Sequence, residues 1–187
     1  MKTKWNMKTI ASAALMLSLG VAAVYAQEVP LNMTLSGTGA PSTINLQTGT
    51  GSSEYSLAGK GTLGRFTLRV VSAGAASPQP SSTCSGLYFP VLAGEGVFRF
   101  QDGSLMKLDL TEGFDCIDLA TQQAHCVRIF QITGGTGRFK DASGGKVALS
   151  MTVAPVVPNI FDFFTVTADI TGTVSGIDED RDQGEGQ

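Results

Sequence analysis

A carboxylate and a guanidinium, Glu112 and Arg128, flank the segment Phe114-Asp115-Cys116-Ile117-Asp118-Leu119-Ala120-Thr121-Gln122-Gln123-Ala124-His125-Cys126. Read as a hairpin whose turn centres on Thr121, this segment sets Cys116 opposite Cys126 and makes Glu112 and Arg128 diagonal neighbours. The face they share also carries Leu110, Phe114, Cys116, Cys126, Phe130 and Ile132, and so is otherwise apolar. Charges on an inner face must be paired or lie near solvent. A pair so placed can orient a ligand's carbonyl or hydroxyl, or move a proton. The competing reading is a salt bridge at a rim, or a register slipped by one residue that turns both side chains outward.

Other chemistry-bearing types are sparse. His125 is the only histidine, and without a second histidine or a clustered carboxylate pair it supports neither a zinc site nor triad hydrolysis. Gly59-Lys60-Gly61-Thr62-Leu63-Gly64 fits Gly-x-Gly-x-x-Gly, but no helix pattern follows to hold a phosphate at its N-terminus, and a bulged strand is the expected structure. Asp178, Asp180 and Asp182 alternate as in a calcium loop, yet Gln183 stands where the sharp turn wants glycine, so a solvated acidic tail is expected. No cofactor and no metal is expected.

The three cysteines, Cys84, Cys116 and Cys126, allow one disulfide and one thiol. The hairpin geometry favours Cys116 with Cys126, because a bridge needs Cα atoms about 6 Å apart. Cys84 with either of the others is the alternative.

Lys2, Lys4 and Lys8 precede an apolar run from Ile10 to Val24, and Val24-Tyr25-Ala26 has the form of a cleavage site. Residues 1–26 therefore read as a secretory signal, with export to the periplasm or medium and no membrane insertion once it is removed. The remaining 161 residues hold ten basic and sixteen acidic side chains, a net charge of −6. A nucleic-acid partner, which needs a basic patch, is not expected.

What positions these residues is a series of strands. Leu31, Met33 and Leu35 alternate with polar residues, and a weaker strand covers Thr43 to Thr48. A third runs from Tyr55 to Val71 with bends at Gly59, Gly61 and Gly64, and a proline-containing loop from Ala75 to Ser82 follows. Leu87 to Phe100, Leu105 to Phe114, Val127 to Ile132, Val147 to Val153 and Phe163 to Val174 complete eight. Eight antiparallel strands in sequence predict a single all-β domain over 27–176, an up-and-down β-barrel that closes without exposed edges. A two-sheet β-sandwich is the alternative. The polar run 177–187 predicts a disordered acidic tail.

Between the sixth and seventh strands stands Ile132-Thr-Gly-Gly-Thr-Gly-Arg-Phe-Lys-Asp-Ala-Ser-Gly-Gly145, where Gly134, Gly135, Gly137 and Gly144 permit a tight reversal around Arg138 and Phe139. This wording resembles a turn signature of the calycin-like barrels that include allene oxide cyclases, plant dirigent proteins and many small secreted bacterial proteins of unassigned role. The resemblance implies a scaffold. No catalytic residue of the plant enzymes falls on a matching position, so it implies no activity by itself. The expected function is that of an exported non-enzymatic barrel binding a small apolar molecule. One alternative is a cyclase-like or dirigent-like enzyme that steers a reactive intermediate by pocket shape. Another is a self-assembling surface or matrix protein, an oligomer joined through threonine-rich strand faces.

Overall fold

A computed structural model of the chain describes residues 28–178. The predicted signal segment 1–26 and the acidic run beyond Asp178, with Asp180, Asp182 and Gln183, lie outside the described residues. Eight strands form: β1 (Val29–Ser42), β2 (Thr50–Gly61), β3 (Gly64–Ala75), β4 (Leu87–Phe100), β5 (Leu105–Asp118), β6 (Gln123–Thr136), β7 (Gly144–Val157) and β8 (Ile160–Val174). Each pairs antiparallel with the next, and β1 also pairs with β8, from Val29 opposite Val174 to Gly39 opposite Phe164. The sheet is a closed barrel, not a sandwich.

The count of eight matches the sequence reading, although two of its strands were drawn differently. The weak strand at 43–48 is a loop, and the long third strand is two, β2 and β3, folded about Thr62 and Leu63. Ile44 and Leu46 alternate with polar residues as strand residues do, but no neighbouring strand offers them a ladder. The Gly-x-Gly-x-x-Gly run is the β2–β3 reversal, with Gly61 opposite Gly64.

Alternation decides which side chains point inward. Leu31, Met33 and Leu35 of β1, Phe66 and Leu68 of β3, Phe98 of β4 and Phe130 of β6 are buried in one continuous core. Aromatic rings fill the end where β2–β3, β4–β5 and β6–β7 connect: Phe66 meets Phe98 edge-on at 5.2 Å, and Phe100 lies 4.6 Å from Phe139.

The glycine-rich signature closes that end. Gly137–Phe139 forms one 3₁₀ turn, and Gly137 has a φ of +60° with Ser104 so near that an added Cβ would lie 2.3 Å from its Oγ. Arg138 sits over the Phe100 and Phe139 rings at 5.0 and 4.9 Å, and its Nη2 donates to the Leu63 carbonyl at 2.7 Å. Asp102 Oδ2 lies 3.2 Å from Arg138 Nε and accepts from the Ser104 hydroxyl at 2.9 Å. Ile177 packs on the core and the Asp178 N–H donates to the Arg138 carbonyl, so the first two residues of the expected tail belong to the barrel. The opposite end, where β1–β2, β3–β4, β5–β6 and β7–β8 connect, is not filled.

A candidate ligand cavity

The unfilled end is a cavity of about 380 Å³ whose wall includes Tyr55, Ser72, Asp115, Cys126 and Arg128 among mostly apolar neighbours such as Phe89, Ile117, Val153, Phe161 and Phe164. Arg128 projects from the inner face of β6 and is only 1% exposed. Its partner is Asp115, whose Oδ1 lies 2.8 Å from Nη2. Nη1 donates to the carbonyls of Phe114 at 2.9 Å and Val127 at 3.0 Å, and Nε donates to the Ser72 hydroxyl at 3.4 Å. The guanidinium is thus consumed mainly by backbone and wall. Asp115 Oδ1 is itself buried against the guanidinium, and the 22% exposure of the side chain leaves the rest of the carboxylate at the cavity wall.

The expected partner of Arg128 was Glu112, and the structure corrects this: Glu112 is exposed on the outer face. Two local features account for the change. The β5–β6 loop spans 119–122, so Cys116 lies opposite His125 and Asp115 opposite Cys126, one residue away from the register centred on Thr121. Thr111 is also bulged, its hydroxyl donating to the Ile129 carbonyl at 3.0 Å, which reverses the facing of β5 beyond Leu110. Phe114 and Cys116 are therefore carried outward with Glu112, while Asp115 and Ile117 turn in. Gly113 lies opposite Arg128 and makes room for it, since a Cβ there would stand 3.0 Å from Arg128 Cδ and 2.7 Å from the Val127 carbonyl oxygen.

The same flip overturns the favoured disulfide. Cys116 pairs with Cys84, with 5.7 Å between Cα atoms, tying the β3–β4 loop to the outer face of β5. Cys126, expected to be bridged, is a free buried thiol on the cavity side of β6. His125 is exposed on the outer face, its ring 6.3 Å from that of Phe114. Gly134, Gly135, Gly137, Arg138, Phe139 and Gly144 all lie at the filled end, away from the cavity.

Electrostatics in the cavity keeps its hydroxyl and thiol neutral. Burial pushes the Cys126 thiol well up, with the Asp115 carboxylate adding to the effect. Burial likewise raises the Tyr55 phenol far above its ordinary value, with smaller contributions from Cys126 and Asp115. For Arg128 burial is the largest influence and opposes the charge, but the Asp115 carboxylate, through its charge and its hydrogen bond and with Tyr55 and Cys126 adding to it, more than offsets burial and holds the guanidinium ionised. The wall thus offers one carboxylate acceptor and two neutral donors, the Tyr55 hydroxyl and the Cys126 thiol, in an apolar chamber. Tyr55, Ser72 and Asp115 were missed from the sequence. The legible hint was Glu112-Gly113, a glycine beside the residue that breaks the apolar alternation of Met106, Leu108 and Leu110.

Among the described residues no three His, Cys, Asp or Glu side chains gather as a metal site. No family model matches the chain, and no curated protein matches it. Two solved structures are similar to it in outline. The pterocarpan synthase dirigent protein PsPTS1 is 13% identical, with 81% of this chain and 97% of that one covered at a TM-score of 0.43. The pterocarpan synthase dirigent protein GePTS1 is also 13% identical, with 82% of this chain and 87% of that one covered at a TM-score of 0.42. Likeness of this degree says nothing of activity.

Proposed function

We propose that the protein is an exported carrier or receptor that takes one small, largely apolar molecule into the open half of its barrel. The observation that carries this reading is the cavity itself: about 380 Å³, within the range of about 300–1,000 Å³ typical of small-molecule sites. Its one ion pair is aimed inward while the rest of the barrel interior is filled. The ligand's apolar body lies against Phe89, Val153 and Phe164, and its polar end meets Asp115 and Tyr55. Because Arg128 is already engaged by two carbonyls and Asp115, the polar end is a hydroxyl or amine given to Asp115, or a carbonyl receiving from Tyr55. The Cys84–Cys116 disulfide fits an oxidising compartment.

A second reading, the steering of a reactive intermediate, is favoured by one specific observation. The Asp115 carboxylate stands on the same wall as a neutral phenol, Tyr55, the two groups that a proton transfer needs. Both readings predict binding, and only the second predicts turnover.

Titration with 1-aminoanthracene, a neutral apolar fluorophore with one amine, tests the shared claim. Its emission should rise on binding, Asp115→Ala should weaken binding about tenfold, the loss of one charge-assisted hydrogen bond, and Glu112→Ala should leave it unchanged. Equal binding by Asp115→Ala, or by Ala124→Trp, which fills the cavity, would place the fluorophore elsewhere and defeat the proposal.

A further inference from the structure

The connections at the open end are distinguished by what they lack. Residues 43–49, 76–86 and 119–122 contain no Asp, Glu, Lys or Arg, and neither does the β7–β8 tip from Val153 to Phe161. The filled end, by contrast, carries Lys60, Arg65, Asp102, Lys140, Asp141 and Lys146. The exposed carboxylates of Asp118 and Asp162 flank the β5–β6 and β7–β8 tips, and no Lys or Arg stands in any of the open-end connections.

Apolar exposure follows the opposite distribution. Of the ten large hydrophobic side chains that stand exposed among the described residues, only Leu92 and Val97 lie away from the open end. Leu119 projects from the β5–β6 tip, and Val156, Val157, Ile160 and Phe161 from the β7–β8 tip. Ile44 and Leu46 rise from the β1–β2 loop, which is where strand-like alternation without a strand leaves them. The β5–β6 and β7–β8 tips are tied together: the Asn159 N–H donates to Gln122 Oε1 at 3.1 Å, and the Gln122 amide donates to Asn159 Oδ1. Phe161 is half exposed and also lines the cavity, so the apolar rim is continuous with the chamber.

We infer that this apolar rim, which lacks cations, docks on a neutral lipid surface, with the cavity mouth facing the bilayer. Apolar tips enter the boundary between headgroups and acyl chains and gain hydrophobic free energy there, while hydroxyls and amides of the same loops remain hydrated. Charge complementarity selects the surface: a rim without cations has nothing to offer anionic headgroups, and the net charge of −6 beyond residue 26 is repelled by them. Contact is peripheral. The outer strand faces are polar and exposed, as at Thr34, Ser36 and Thr38 of β1 and Thr165, Thr167 and Asp169 of β8, so the barrel has no lipid-facing band with which to span. A mouth-to-mouth dimer would bury the same side chains but seal the chamber between two copies.

The inference rests on the rim alone and stands apart from the identity of any cavity ligand. The test uses residues 27–187, which hold the whole closed barrel and omit the apolar run from Ile10 to Val24 that would bind lipid by itself. Flotation with phosphatidylcholine vesicles should carry the protein up, and adding phosphatidylglycerol should not raise the bound fraction. Val157→Asp with Ile160→Asp, two exposed positions off the cavity wall, should lower the bound fraction at least about fivefold while the thermal midpoint holds. No flotation of the unaltered barrel, or equal flotation of the double variant, overturns the inference. So does a dimer in light scattering that the double variant splits while vesicles bind neither form.

Discussion

Arg128 holds a permanent charge in a wall where 1% of its surface meets solvent, and Asp115 and two carbonyls make that tolerable. Removing the carboxylate strands the charge, so Asp115→Ala should cost about 3 kcal/mol in urea unfolding. The titrating neighbours set a pH dependence of definite sign. Cys126 and Tyr55 hold their protons more tightly folded than unfolded. Their contribution is therefore complete below the unfolded values, about 8.5 and 10, and is lost as pH rises beyond them. Urea midpoints should be level from pH 7 to 8 and fall above pH 9, and Cys126→Ala with Tyr55→Phe should flatten that alkaline limb. At this scale half the pair was legible. Arg128 announced itself as a cation on an apolar face, whereas Asp115 was hidden because its facing depends on an inserted residue at Thr111, which period-two reasoning does not contain.

Strand by strand, the alternation of β1, β3 and β8 was readable because each buries one face continuously. Strand ends were less so. The loop at 43–49 carries the same alternation without a ladder, and the β2–β3 reversal hides among glycines that equally suit a bulge. The β5–β6 register was wrong by one residue because a four-residue loop has no central residue to pivot on. That slip, together with the inserted Thr111, turned Glu112 outward and gave Cys116 to Cys84. The bridge closes a loop with a sequence separation of 32. On a chain-entropy account this stabilises the barrel by about 3–4 kcal/mol. Reduction should lower the unfolding free energy by that amount, Cys84→Ala should reproduce the loss and no longer respond to reductant, and Cys126→Ala should keep the full response.

For the molecule as a whole, closure of β1 on β8 divides the interior into two halves with different uses. Phenylalanines, with Arg138 and Phe139 beneath them, plug one half, which is why the glycine-rich signature is structural and lies far from the chemistry. The other half stays hollow because its wall carries glycine, serine and alanine at Gly51, Ser52, Gly74 and Ala124, small residues that leave volume where larger ones would have met across the axis. Composition foretold the barrel but not the hollow, since burial patterns alone do not say whether opposing side chains touch. The most direct test is native mass spectrometry of the protein recovered from its own cells. The unaltered chain should appear with a discrete added small-molecule mass that Ala124→Trp lacks. A bare mass for both, with 1-aminoanthracene failing to bind either, would contradict the account.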